Sequence, residues 1–176
     1  IVPLPGLAGG DLGNVNRWRA QVGLAAITEE ELPKTAEKVM IAGVESQAYE
    51  LADENASSGE KTRVLGAILR KDGVAWFFKM IGDDELVAQS KVSFMEFLKS
   101  VSFQAVSPDL PPSHPPVDAA SMAAQSFPTQ SGTTTKPTWQ VPAGWNEVPG
   151  GQFLVAKFAI AGENNSQAAV NISMSA

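Results

Sequence analysis

The spacing of hydrophobic positions changes along this chain, and each change predicts a different element. Leu12, Val15, Trp18 and Val22 recur at helical spacing. Asp11 is placed to cap that helix and Gly23 to end it. Thr28 and Glu31 have capping-box spacing and predict a short helical turn before Pro33. From Glu37 to Asp53 the period shortens. Val39 and Ile41 alternate, Gly43 interrupts, and Tyr49 and Leu51 alternate again, which predicts two short strands joined by a turn.

After the polar loop ENASSGEK, the apolar runs TRVLGAILR and VAWFFKMI flank Lys71-Asp72-Gly73. Asp-Gly between apolar runs predicts a tight hairpin, because Gly73 accepts the positive φ that such turns require. Gly82 is placed to break the second strand and Asp83 to cap a helix. Along that helix Val87, Phe94, Phe97, Leu98 and Val101 form one stripe, most simply packed on a face of the sheet.

Residues 104–138 differ in kind. Pro108, Pro111, Pro112, Pro115, Pro116, Pro128 and Pro137 stand among Ser, Thr, Gln and Ala, the composition of a linker. Two strands follow in 139–176, joined by a turn at AGENNSQ. Leu154, Ala156, Phe158 and Ile160 share one face of the first; Ala168, Val170, Ile172 and Met174 share one face of the second. An isolated hairpin is marginal in water, so this pair needs cover. The cover within the chain is the α/β part, residues 1–103. A flexible linker of about 35 residues spans roughly 30–35 Å, so closure on the same chain and strand exchange with another copy are both feasible.

Composition narrows function more than fold. The chain has 176 residues, 44% of them hydrophobic, enough for one domain with a core. A net charge of -6 disfavours nucleic acid and offers no basic patch to an anionic membrane. No apolar run is long enough to span a bilayer. Without cysteine, thiolate catalysis, disulfides and Cys-based metal sites are excluded.

Candidate chemistry is sparse. The one histidine, His114, lies in PPSHPP with nothing beside it to orient it. GLAGGDLGN precedes a helix but matches no phosphate-loop pattern, and Asp11 would occupy the anion's place. Asp83, Asp84 and Glu85, like Glu29 to Glu31, lack calcium-loop spacing and read as first-turn acids. Trp76, Trp139 and Trp145 read as core or sheet-edge packing. Asn55, Asn164 and Asn171 stand in glycosylation sequons, and Asn171 falls within a predicted strand.

In NRWR, Arg17 and Arg19 flank Trp18. As a site, this is an anion clamp of two guanidinium forks beside an aromatic plate. As structure, Trp18 joins Val15 and Val22 in the core and the arginines pair with surface acids. Arg17, Trp18 and Arg19 are the strongest ligand-binding candidates. No catalytic residue, metal site or cofactor motif is read.

The segment WQVPAGWNEVPGGQFLVAKFAIAG…AAVNISMSA resembles the N-terminal strands of bacterial envelope domains with a PsbP-like α/β/α fold. GGDLGNVNRWRAQVGL resembles their first helix. RVLGAILRKDGVAWFFKMIGDDELVAQSKVSFMEFLKSVSF resembles their final hairpin and closing helix. In that family the tryptophan strands come first; here they come last. The order fits a circular permutant, or a window from a tandem array that holds the back of one domain and the front of the next. The start at Ile1 rather than Met favours the window.

The expected fold is therefore α+β: an antiparallel sheet covered by helices, completed by the C-terminal hairpin. The resemblance implies a non-catalytic binding or scaffold module in the bacterial periplasm or cell envelope. An upstream signal or lipid-attachment segment is consistent with that, and the partner is an unknown protein or small ligand. The alternative is an enzyme, or an accessory subunit, using an Arg/carboxylate groove between sheet and helix.

Overall fold

The computed structural model describes residues 10–53, 61–104 and 136–175. The N-terminal loop before Gly10, the loop at 54–60 with Asn55, and the proline-rich stretch with His114 lie outside the described residues.

Two tight hairpins form the first half of the sheet. Strand β1 (Ala36–Ile41) turns at Ala42-Gly43 into β2 (Val44–Ala52), and β3 (Thr62–Lys71) turns at Asp72-Gly73 into β4 (Val74–Asp83). Asp72 and Gly73 both have positive φ, 52° and 80°, so the turn twist matches the twist of the strands. Helix α1 (Gly10–Gln21) precedes them, followed by the single turn α2 (Leu32–Thr35). The Thr28 amide donates to Glu31 Oε2 at 2.9 Å, the reach-back half of a capping box. At the end of α1, Leu24 N–H donates to Arg19 O at 2.9 Å around Gly23, whose φ of 80° permits this left-handed stop. Asp11 lies inside the first turn rather than capping it, and its carboxylate accepts from Arg70 on β3.

Helices α3 (Asp84–Gln89) and α4 (Lys91–Ser100) follow, then β5 (Ser102–Gln104). Beyond the proline-rich stretch come β6 (Lys136–Thr138), β7 (Trp145–Glu147), β8 (Ala156–Ala161) and β9 (Gln167–Ser175). A 3-10 turn at Glu163–Asn165 links the last two. The main sheet has seven strands in the order β1-β2-β3-β4-β9-β8-β7, all neighbours antiparallel. The fold is thus mixed α+β. The late hairpin joins the sheet of its own chain through β9 on β4, with Lys79 opposite Asn171.

Burial patterns report which faces are covered. β3 and β4 are buried almost continuously, since α1 packs on one face and α3 with α4 on the other. β8, and β9 as far as Ile172, alternate: Ala156, Phe158, Ile160, Ala168, Val170 and Ile172 face α4, and their neighbours face out. The α1 side of the sheet is therefore covered over β2 to β4 and open over β9 and β8.

Two further expectations are corrected. Gly82 does not break β4, which runs on to Asp83; its missing side chain admits the backbone of β9. Nor does the linker run unbroken over 104–138. Gln104 pairs with Lys136, and Ser102 Oγ lies 2.9 Å from Thr138 Oγ1, so the chain returns beside its point of departure. Replacing residues 105–135 by a four-residue turn should consequently preserve the fold and raise stability by roughly 2 kcal/mol from reduced loop-closure entropy. Urea unfolding of the shortened chain checks this; a lower midpoint would mean that the β5–β6 pairing does not hold the two ends together.

Candidate functional site

A groove of about 460 Å³ lies where α1 ends its cover of the sheet. One wall is α1, with Asn14, Arg17, Trp18 and Gln21. The floor comes from β4 and β9, through Phe77, Lys79, Asn171 and Ser173. The far rim is Phe153 and Leu154, on the segment before β8, with Met174 and Ser175. Half of the site thus comes from residues before the proline-rich stretch and half from residues after it.

Trp18 reaches its place because Gly66 on β3 has no side chain. A Cβ there would stand 2.3 Å from the indole ring. The ring meets Tyr49 edge-on, with centroids 6.4 Å apart. Burial, with a smaller contribution from the Asp11 charge, pushes the Tyr49 phenol up to about 12.

Arg17 donates through Nη1 to Asn14 Oδ1 at 3.2 Å, and Lys79 donates to Gln21 Oε1 at 3.1 Å. Burial pushes the Lys79 ammonium below its ordinary value, and the positive charge of Arg17 lowers it further. Among the described residues that line the groove none is Asp or Glu, although the chain as a whole is acidic.

The sheet's other charge cluster is built in the opposite way. Arg63 pairs with Glu50 and, at 2.8 Å, with Asp84; Lys91 pairs with Glu50 at 2.8 Å and Glu37 at 3.3 Å. Burial works against the Glu50 charge, but Lys91 and Arg63 outweigh it and hold its carboxyl below the usual range. That network ties α3 and α4 to β1, β2 and β3 and leaves its charges mutually satisfied.

The sequence candidates separate. Arg17 and Trp18 meet in the groove. Arg19, two residues on and therefore well around the helix, donates to Ala25 O at 2.7 Å instead. The second cation of the groove is Lys79, which was not among the candidates. Its signal was a lysine interrupting the apolar run VAWFFKMI, opposite a strand whose outward positions are Asn171, Ser173 and Ser175. Asp83 accepts from the Gln167 amide and Asp84 from Arg63, so both acids have packing roles.

Compared with known proteins, the chain matches no family model, no curated protein and no solved structure. Among the described residues, no helix is long and apolar enough to cross a membrane, and no group of three or more His, Asp or Glu gathers as metal ligands would.

Proposed function

We propose that this chain is a non-catalytic binding module of PsbP-like type from a bacterial envelope protein, and that the groove under α1 is its ligand site. The observation that carries the binding role is the groove's charge: Arg17 and Lys79 open onto one space whose described lining holds no carboxylate. Lys79 is hydrogen-bonded to the neutral Gln21 amide rather than to an acid, which leaves its charge for a ligand to complete. The alternative, catalysis by an Arg/carboxylate pair, needs an Asp or Glu in this groove. The envelope location rests on the resemblance of the tryptophan strands, the first helix and the closing hairpin to envelope domains. A tandem-domain origin belongs to the same proposal.

A screen of neutral and charged organic fragments by two-dimensional amide NMR tests the binding role. Binders should shift amides of α1, Lys79 and Asn171 to Ser175 together. A screen in which no fragment moves these amides would overturn the role.

A further inference from the structure

We infer that the groove takes an amphiphilic oxyanion: a carboxylate or phosphate head seated between Arg17 and Lys79, with an apolar body lying along Phe77, Phe153 and Leu154. This inference rests on reading the groove as the ligand site and adds the chemical class of what enters it.

The head is argued from charge complementarity. Arg17 presents a planar fork that matches the two oxygens of a carboxylate or phosphate, and Lys79 supplies a compact point charge beside it. The two cations repel each other and share no acid in the groove, so an anion placed between them relieves that repulsion. The side-chain amide of Asn171 and the hydroxyls of Ser173 and Ser175 line the same groove and can donate to further oxygens. A cationic ligand would meet two like charges and no acid, and a purely apolar one would strand the lysine away from water.

The body is argued from the rim. Phe153 is 86% exposed, a large apolar side chain left in water at the edge of the groove, and Phe77 lies on the floor below it. Leu154 lines the groove beside Phe153, its amide donating to Gly151 O at 3.0 Å. A large exposed apolar group beside a polar pocket marks contact surface. The groove volume of about 460 Å³ falls within the range of small-ligand sites and accommodates a chain of about ten carbons.

The experiment is isothermal titration of the full chain with decanoate, decyl phosphate, decanol and inorganic phosphate. Decanoate or decyl phosphate should bind, the stronger of the two identifying the head. Decanol and inorganic phosphate should each bind at least roughly tenfold more weakly, because each lacks one half of the recognised chemistry. Arg17→Gln and Lys79→Gln should each weaken the anionic amphiphile by roughly tenfold or more while leaving decanol unchanged, the decanol arm reporting that the groove remains folded. Equal binding of decanol and decanoate, unaffected by either substitution, would overturn the oxyanion while leaving the groove a ligand site. Inorganic phosphate binding as tightly as decyl phosphate would overturn the apolar body. No binding of either anionic amphiphile would overturn the class outright, whatever the fragment screen finds.

Discussion

Replacing Phe97 with alanine should cost about 3–5 kcal/mol of stability, the range for deleting a fully packed phenylalanine. Phe97 is 1% exposed on α4. Its ring lies 6.3 Å from Phe78 on β4, 5.2 Å from Trp145 on β7, 5.9 Å from Trp139 and 6.1 Å from Phe158 on β8. One ring therefore joins the strands before the proline-rich stretch to those after it. Aromatic pairs at such distances add to simple area burial, and the cavity left behind is walled by rigid rings that collapse poorly. A domain of this size holds about 5–15 kcal/mol in total, so the variant should be close to unfolding at body temperature. Urea denaturation followed by tryptophan fluorescence measures it. A loss under about 1 kcal/mol would mean that the aromatic cluster does not join the two halves.

Gly82→Ala should cost about 2–3 kcal/mol, an overpacking penalty that this site has little means of relieving. A Cβ on Gly82 would stand 2.3 Å from Gln167 O and 2.5 Å from Ala168 Cα. Both are backbone atoms of β9, so relief requires β9 to move away from β4. That movement would also open the groove, whose floor is Lys79 against Asn171. Gly13→Ala is the control. Nothing lies within 4 Å of a Cβ there, and the position is inside α1, so the same change should stabilise by up to about 1 kcal/mol. Thermal melts of the two variants should move in opposite directions; a Gly82→Ala chain as stable as the parent would contradict the close approach.

The elements most legible in the sequence are those whose cause is local. Asp72-Gly73 between apolar runs dictates its hairpin, and the Val15, Trp18, Val22 stripe dictates the buried face of α1. The alternation of β8 and β9 reports a sheet covered on one side only, and Met174 departs from it because it lies at the strand's end, beyond the helix cover. What escaped had a distant cause. Gly82 looks like a strand breaker until β9 is seen against it. The pairing of Ser102–Gln104 with Lys136–Thr138 joins positions far apart in the chain, so no local pattern marks it. The short β7 has no alternation to speak of and is recruited by its register on β8. At the site, Arg17 and Trp18 were legible as neighbours in sequence. Lys79 was not, because it meets Arg17 only through the packing of α1 on β4.

The groove exists only if β9 lies on β4 of the same sheet, so that contact is the most direct thing to measure. The chain has no cysteine, which leaves the pair Ile81→Cys and Ala169→Cys free of competing thiols. These positions face each other across β4 and β9, where antiparallel side chains stand close enough to bridge. Mild oxidation followed by mass determination under denaturing, non-reducing conditions should give a cross-linked species with the mass of one chain. A covalent dimer would place another copy's β9 on β4, and failure of the bond to form would mean that β9 does not complete this sheet.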